Sequence, residues 1–383
     1  MTASRFAAVP AGLAVPEYGR SLAGVLPAAL TSLGLPHESP AFDIPASSRV
    51  CVLLVDGLGW NGLSGAAGSA PFLTSLRDDP RSRRITTVFP STTPIALTSF
   101  GTGLPPGEHG ITGLYLRVDG RIVNLLAIPA EADLAAVQPR ETLLEQAEGA
   151  GITVTRVGPR RFDGEGLTQA ALRGGAYAAA ESVGELVTAA GAAVRRGERS
   201  LTYVYVGSLD GTGHRRGCSG EAWREELLHV DLLVQRLAAG LPPDATLLVT
   251  SDHGMTDVPL ENRTDVAATP ELAAGVAAVT GDMRAVNVHA DPGAAGDVLA
   301  AWRDFLGDRF WVLSGAEAVD AGLYGPTVCE RFADRIGDVV AVAAADWAIY
   351  DSRSLPAYVS RLVGLHGSVT DDELYVPLLV HSR

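Results

Sequence analysis

RVCVLLVDGLG, residues 49–59, is the stretch on which the fold turns. Arg49–Val55 is an apolar run without polar alternation, the pattern of a strand buried on both faces of a parallel sheet. It stops at Asp56, where a glycine-containing loop begins. The same ending recurs twice: LTYVYVGSLDGTGH (201–214) reaches Asp210, and TLLVTSDHGM (246–255) reaches Asp252. Further apolar runs lie at 85–89, 152–157, 339–343 and 375–380, with helical patterns at 94–100, 141–150, 178–195, 221–239 and 355–362. Strand-then-helix alternation of this kind predicts an α/β fold, a doubly wound, mostly parallel sheet flanked by helices.

Two stretches depart from the alternation. LYLRVDGRIVNLLA (114–127) is two short runs around Asp119-Gly120, a hairpin turn signal. Residues 259–338 hold a strand-like MRAVNVHA (283–290), a helical pattern at 294–306 and a short strand at 309–313, which predicts a small α/β insert or cap. The expected organisation is an N-terminal extension, 1–47, with a helix near 21–33; a catalytic core of 48–258 and 339–383; and the insert 259–338 between its two parts. Because the insert follows the Asp252 loop directly, it is expected to overhang the site and set substrate choice.

Composition narrows the function. The chain has 383 residues, 44 acidic and 30 basic, and a net charge of −14. That balance excludes a nucleic-acid-coating surface and attraction to anionic membranes. It leaves room for a phosphate-bearing substrate, because bound metal reverses the sign locally. Every basic residue is Arg, so Schiff-base chemistry and a phosphate-loop lysine are excluded. Cys51, Cys218 and Cys329 are too far apart for a disulfide framework or a zinc knuckle. The start, MTASRFAAVPAGLAVPEYGR, lacks the pattern of a secretory leader, and no membrane span is expected, so the cytoplasm is the expected compartment.

The three strand-end aspartates belong on one edge of the sheet, the edge where open α/β sheets bind ligands. Gathered there they would repel one another and need cations to stay ionised. Few arginines stand near these motifs, apart from Arg215 and Arg216, so metal ions are the simpler source of charge. The histidines agree. Asp210 and His214 are four apart in one loop, Asp252 and His253 are adjacent, and His366 precedes the last strand. Imidazole with carboxylate suits zinc, and also manganese or iron. Six ligands are too many for one tetrahedral ion and suit two ions of three protein ligands each, the clamp used for in-line phosphoryl displacement. Taken singly, each residue has a plainer reading as a turn, cap or core residue; the joint pattern outweighs it. His109 and His229 read as ordinary.

The second element is TTVFPSTTPIALTSFGTGLPPGEHGITG (86–113). Pro94 suits the first position of a helix and Thr93 the cap before it. The helix N-terminus could hold a phosphate, and a metal-activated Thr93 hydroxyl could act as nucleophile. The plain alternative is a structural cap.

As a set, VDGLG (55–59), FPSTTPIALTSFGTGLPPGEHGI (89–111), LDGTGH (209–214), TSDHGM (250–255) and GLHGSVTDDELYVPLLV (364–380) resemble the alkaline phosphatase superfamily, in particular its type I phosphodiesterase/nucleotide pyrophosphatase branch. The resemblance covers most of 48–258 and 339–383. It implies an alkaline phosphatase-like core in which Asp56, Asp252 and His253 hold one Zn2+ and Asp210, His214 and His366 the other. It places the nucleophile nine residues before the Thr of a Thr-Gly pair; counting back from Thr102 gives Thr93, with Thr92 the fallback. One position departs. Leu114 stands where the family has an Asn that binds a phosphate oxygen, so that contact would pass to the Thr93 backbone, the metals, Tyr115 or an Arg. The CxPxR pattern of sulfatases is absent.

The function expected from the resemblance is a two-metal phosphoric ester hydrolase. It would act on phosphodiesters or nucleotide pyrophosphates through a phospho-threonine intermediate, with Thr93 also a metal ligand. Its partner would be a small-molecule phosphate ester such as a nucleotide. The alternatives are a phosphomonoesterase or phosphonate hydrolase of the same architecture, and a catalytically silent metal-binding relative.

Overall fold

Arg49–Val55 is the central strand of a seven-stranded sheet in the order Arg83–Thr86, Tyr375–Ser382, Ala245–Thr250, Arg49–Val55, Ser200–Val206, Thr153–Gly158, Ala176–Ala179. This computed structural model describes residues 9–37, 41–128 and 132–382. The first residues of the segment read for a leader, part of the 1–47 extension, lie outside the described residues.

Arg49–Val55 pairs in parallel with Ser200–Val206 on one side and Ala245–Thr250 on the other. Its side chains alternate between two cores. Val50, Val52 and Leu54 join the helices Thr93–Thr102 and Leu143–Gly149 on one face. Cys51, Leu53 and Val55 join Pro71–Arg77, Val183–Val194 and Glu221–Gly240 on the other. Burial on both faces is what a run without polar alternation requires. Each such side chain is worth about 1.5–3 kcal/mol of transfer free energy.

Two expected parallel strands run otherwise. Tyr375–Ser382 is antiparallel to both its neighbours. The chain enters it from the loop at the carboxyl edge, with no crossover helix to return it to the opposite edge. Val339–Ala343, expected in the catalytic core, is a strand of a second sheet, between Ala285–Ala290 and Phe310–Ser314 and antiparallel to each. Its order is Phe310–Ser314, Val339–Ala343, Ala285–Ala290, Val276–Asp282, Tyr115–Val118, Arg121–Asn124. A short apolar run identifies a buried strand and does not say which sheet buries it.

The hairpin forms at Asp119-Gly120, with φ of +49° and +76°, both positive as a type I′ turn requires. It pairs with the second sheet through Gly281 and Tyr115. The helical pattern at 355–362 is not a helix. Pro356 interrupts it, and only a 3-10 turn, Val359–Arg361, forms. Ala178 and Ala179, read as the start of a helix, end an edge strand, Ala176–Ala179, because Gly174 and Gly175 at φ +102° and +71° set a turn before it. The first described helix, Val25–Ser32, joins the main core. No described helix is long and apolar enough to cross a membrane.

Candidate active site

Adjacent strand ends assemble the acidic residues. Asp56 follows Arg49–Val55 directly, and Asp252 lies just beyond Ala245–Thr250 on one side. On the other side the chain leaves Ser200–Val206 and enters a helix, Ser208–Arg216. Asp210 and His214 are therefore one helical turn apart, not on the loop read from the sequence. His366 comes from the segment before the last strand. Two clusters result: Asp56, Asp252 and His253, and Asp210, His214 and His366, each with ligand atoms within 4.8 Å of one another.

Hydrogen bonds fix the imidazoles. Nδ1 of His214 lies 2.7 Å from the Gly364 carbonyl, Nδ1 of His253 3.0 Å from that of Gly254, and Nδ1 of His366 3.1 Å from that of Ser91. A carbonyl only accepts, so Nδ1 carries the proton and Nε2 of each neutral ring presents a lone pair. These lone pairs face other acceptors. His253 Nε2 is 3.4 Å from Asp56 Oδ1 and 3.6 Å from Asp252 Oδ2; His214 Nε2 is 3.4 Å from Asp210 Oδ1 and 3.3 Å from His366 Nε2. Asp56 Oδ1, Asp210 Oδ1 and Asp252 Oδ2 are buried without a hydrogen-bond partner. Two of the sister oxygens are held: Asp56 Oδ2 accepts from the Tyr205 hydroxyl, and Asp252 Oδ1 from the amides of Gly57 and His253 at 3.2 and 3.0 Å. Oriented acceptors converging on a shared space fit a pair of divalent cations, and the outer bonds fix each ligand as in metal sites.

Titration points the same way. Burial first, then the Asp252 and Asp210 charges, push the Asp56 carboxyl well above its usual range. Burial also raises Asp210, and it lowers His366 together with the neighbouring His253 and His214. Without cations the fold disfavours charge on all of these groups.

Thr93 and Thr92 separate. The helix Thr93–Thr102 begins at Thr93, with Thr92 as its extended cap (φ −141°, ψ 149°). The cap is thus one residue earlier than expected. A proline serves anywhere in the first turn, where N–H groups lack intrahelical partners, so Pro94 does not have to be the first helical residue. Thr93 Oγ1 lies 3.1 Å from His253 Nε2, whereas Thr92 Oγ1 donates to Asp282 Oδ2 at 3.0 Å.

A cavity of about 550 Å³ opens over these residues. Thr93, Asp56, Asp210, His214 and His366 stand in its wall, with Leu114 and Tyr115 from the hairpin and Asp282 and Met283 from the insert. Leu114 offers no donor. Aromatic residues Phe162, Tyr177, Tyr203 and Tyr205 line another part, with Arg156 and Arg161. The sequence reading missed these. It also missed the buried pair Arg284–Glu373, which ties the His366 segment to the second sheet with two bonds of 2.7 Å. The only signal was the alternation of Tyr203 and Tyr205, which puts both rings on one strand face. His109 is structural: its Nε2 meets Ser99 Oγ at 2.8 Å, and its Nδ1 accepts from the Ile111 amide at 3.1 Å.

The sequence profile of the type I phosphodiesterase / nucleotide pyrophosphatase family matches residues 50–369. No curated protein is a significant match. Among solved structures, murine ectonucleotide pyrophosphatase / phosphodiesterase 5, an inactive variant in complex with AMP, superposes with a TM-score of 0.70 at 19% identity, covering 87% of this chain and 88% of that one. The human protein of the same name gives 0.67 at 19% identity, with coverage of 87% and 88%. Phosphonoacetate hydrolase from Sinorhizobium meliloti, in complex with phosphonoformate, gives 0.67 at 20% identity, with coverage of 88% and 91%.

Proposed function

Because the chain belongs to the type I phosphodiesterase / nucleotide pyrophosphatase family, we propose that it hydrolyses phosphodiesters or nucleotide pyrophosphates at this cavity, with two zinc ions and Thr93 as nucleophile. The observation that carries this reading is the placement of Thr93 Oγ1 at 3.1 Å from His253 Nε2, beside two clusters of three ligands whose carboxylate oxygens lack protein partners. Asp56, Asp252 and His253 would hold one ion, and Asp210, His214 and His366 the other, with Thr93 Oγ1 at the margin of the first. Bound there, the ions would polarise the phosphate oxygens and lower the pKa of a ligated hydroxyl.

The chain's own groups do the rest. In the first turn Pro94 has no N–H and the amides of Ile95 and Ala96 donate to the Thr92 carbonyl, so the Thr93 N–H is the one that would meet a phosphate oxygen. Thr93 Oγ gives its proton to solvent water and attacks phosphorus in line; the bond to the leaving oxygen breaks as the phospho-threonine ester forms, and that oxygen takes up a proton from water. Water then cleaves that ester and restores the hydroxyl. Three aspartates and a deprotonated Thr93 balance two divalent ions, so the site suits a singly charged diester over a dianionic monoester. Leu114 donates nothing where the family has an Asn, so the phosphate oxygen would be met by the Thr93 backbone, the metals or Tyr115 instead. Asp282 and Met283 bring the insert into the cavity wall, which supports a role for it in substrate choice. The three cysteines are free, which suits the cytoplasm as the compartment.

The test compares bis-p-nitrophenyl phosphate with p-nitrophenyl phosphate on protein of measured metal content. The diester should be the better substrate. Thr93→Ala should keep metal and fold yet lose several orders of magnitude of turnover, Thr93→Ser should keep part, and Thr92→Ala should be mild. An inactive Thr92→Ala beside an active Thr93→Ala would overturn the assignment of the nucleophile. A stoichiometry of one ion after zinc supplementation would overturn the two-metal reading.

A further inference from the structure

The Thr153–Gly158 strand carries a buried cation to the cavity, and no carboxylate among the described residues lies within ion-pair distance of it. Arg156 is 7% exposed and stands in the cavity wall. Its Nη2 donates to the Gly175 carbonyl at 3.3 Å, and its guanidinium lies 5.6 Å from the Tyr177 ring centre. Its Nε and Nη1 have no hydrogen-bond partner, and neither does the buried hydroxyl of Tyr203. The sheet register sets Arg156 between Tyr177 and Tyr203, all on one face. Two residues further along that face, the Tyr205 hydroxyl donates to Asp56. Strand spacing therefore puts the Arg156 position roughly 8 Å from the residue that touches the metal-binding carboxylates.

The other charged groups of this arm make no ion pair with Arg156: Asp163 and Glu148 favour its charge only from beyond contact distance, and Glu148 accepts from the Gly175 amide at 3.1 Å. Glu165 is spent on capping the helix Gly166–Ala171, where it accepts from the Thr168 amide at 3.3 Å. Arg161, exposed at the same wall, lies 4.6 Å from the Phe162 ring centre and adds a second positive charge. A buried cation without a counter-charge is costly, and one that faces a binding cavity leaves that charge to the ligand. In a chain of 44 acidic residues, a protein partner for Arg156 would be easy to place.

We propose that Arg156, with the Tyr203 hydroxyl beside it, is a specificity-determining residue that reads a second anionic group on the substrate. That group is a phosphate or carboxylate carried by the organic part of a phosphodiester, on the side of the cavity away from the carboxylate clusters. The proposal rests on the phosphodiester-hydrolase reading of the same site. Aromatic walls flank the Arg, so the organic part between the two anions is an apolar or planar body.

The test uses matched esters that release p-nitrophenolate. One pair is thymidine 5′-(p-nitrophenyl phosphate) and the same ester bearing a 3′-phosphate. The other is the p-nitrophenyl phosphodiester of ethanol and that of glycolate, which bears a carboxylate. On the zinc-loaded wild-type protein, the anionic member of at least one pair should have a kcat/KM about 10- to 100-fold higher, the worth of one charge-assisted hydrogen bond. The pair that responds identifies phosphate or carboxylate. Arg156→Met should bring that ratio to about one, and Arg156→Lys should keep part of it. Ratios near one for both pairs in the wild-type protein would overturn the proposal without any variant, as would a preference that survives Arg156→Met. Calorimetry with thymidine 3′,5′-bisphosphate and thymidine 5′-monophosphate separates the two readings. If no ester is hydrolysed but the bisphosphate binds about tenfold tighter and loses that advantage in Arg156→Met, the anion subsite stands and the hydrolase reading falls. Equal binding of the two, with hydrolysis intact, sinks the subsite alone.

Discussion

Glu373→Gln should unfold more of this protein than any single exposed change, because it strands a buried arginine. Arg284 and Glu373 are both fully buried. Arg284 Nε and Nη2 donate to the two oxygens of Glu373 at 2.7 Å each, and Nη1 donates to the Trp347 carbonyl at 2.6 Å. Glu373 also accepts from the Ser368 amide at 3.0 Å and from the Thr370 hydroxyl. Its backbone carbonyl accepts from the Gly254 amide at 2.9 Å, next to His253. One side chain thus ties the His366 segment to the second sheet, and its backbone ties that segment to the His253 loop. Glutamine keeps the shape and removes the charge. Breaking one partner of a buried pair costs about 3–5 kcal/mol. In a chain of this size that is a fall of roughly 4–6 °C in melting temperature. Removing both charges, Arg284→Met with Glu373→Leu, should return most of the loss, since packed apolar residues replace such pairs at little cost. Thermal denaturation of the three proteins, stripped of metal, is the assay. If Glu373→Gln costs less than about 1 kcal/mol, or the double variant is no more stable than the single one, the pair is not the clamp described.

Gly101→Ala should displace the helix that carries Thr93. A methyl there would sit 1.8 Å from the Ala171 carbonyl oxygen, a backbone atom that cannot step aside. Turnover should fall more than zinc content, and unchanged kinetics would refute the close approach. His109 is held near pKa 3 by burial. The unfolded chain takes up that proton near its ordinary value while the fold does not, so stability falls as pH drops from about 6.5 toward 3, by roughly 5 kcal/mol in all. His109→Gln should flatten that acid limb of the stability curve; an unaltered slope would assign the acid sensitivity elsewhere. Stripping the metal should cost more stability at higher pH. Asp56 and Asp210 have folded values raised by burial, so the unfolded chain sheds their protons first and the metal-free fold weakens as pH rises above about 4. The gain in melting temperature on adding zinc should therefore be larger near pH 7.5 than near pH 5.5, and the reverse order would contradict it.

The parallel centre of the fold was legible because Arg49–Val55, Ser200–Val206 and Ala245–Thr250 each bury both faces, and a continuous apolar run records that directly. What the runs could not record is partnership. Val339–Ala343 looks the same in sequence whether it pairs with Arg49–Val55 or with Ala285–Ala290. Its place depends on the absence of a crossover helix before it, a property of the segment 321–338 and not of the strand. The same holds at the site. Asp56, Asp210 and Asp252 announce themselves as carboxylates at strand ends followed by glycine. Arg156 and Glu373 sit inside ordinary-looking stretches, and only the fold shows that one is buried alone and the other paired across 89 residues.

Two places where the described residues leave buried charge without a partner face one cavity, and their signs are opposite. At one side, Asp56 Oδ1, Asp210 Oδ1 and Asp252 Oδ2 lack partners; at the other, Arg156 Nε and Nη1 do. Three carboxylates and one guanidinium placed together would have satisfied each other at low cost. Instead the Tyr205 hydroxyl, on the strand face between them, holds Asp56 at its oxygen Oδ2 and leaves Oδ1 free. A chain that keeps its own opposite charges apart across a cavity is arranged to have both satisfied from outside: cations at the acidic end, and an anion at the basic one. A phosphodiester carrying a second anion supplies the latter while its scissile phosphate meets the former. One ligand then spans both defects, reaching from the end of Arg49–Val55 toward Arg156 on Thr153–Gly158, two strands away.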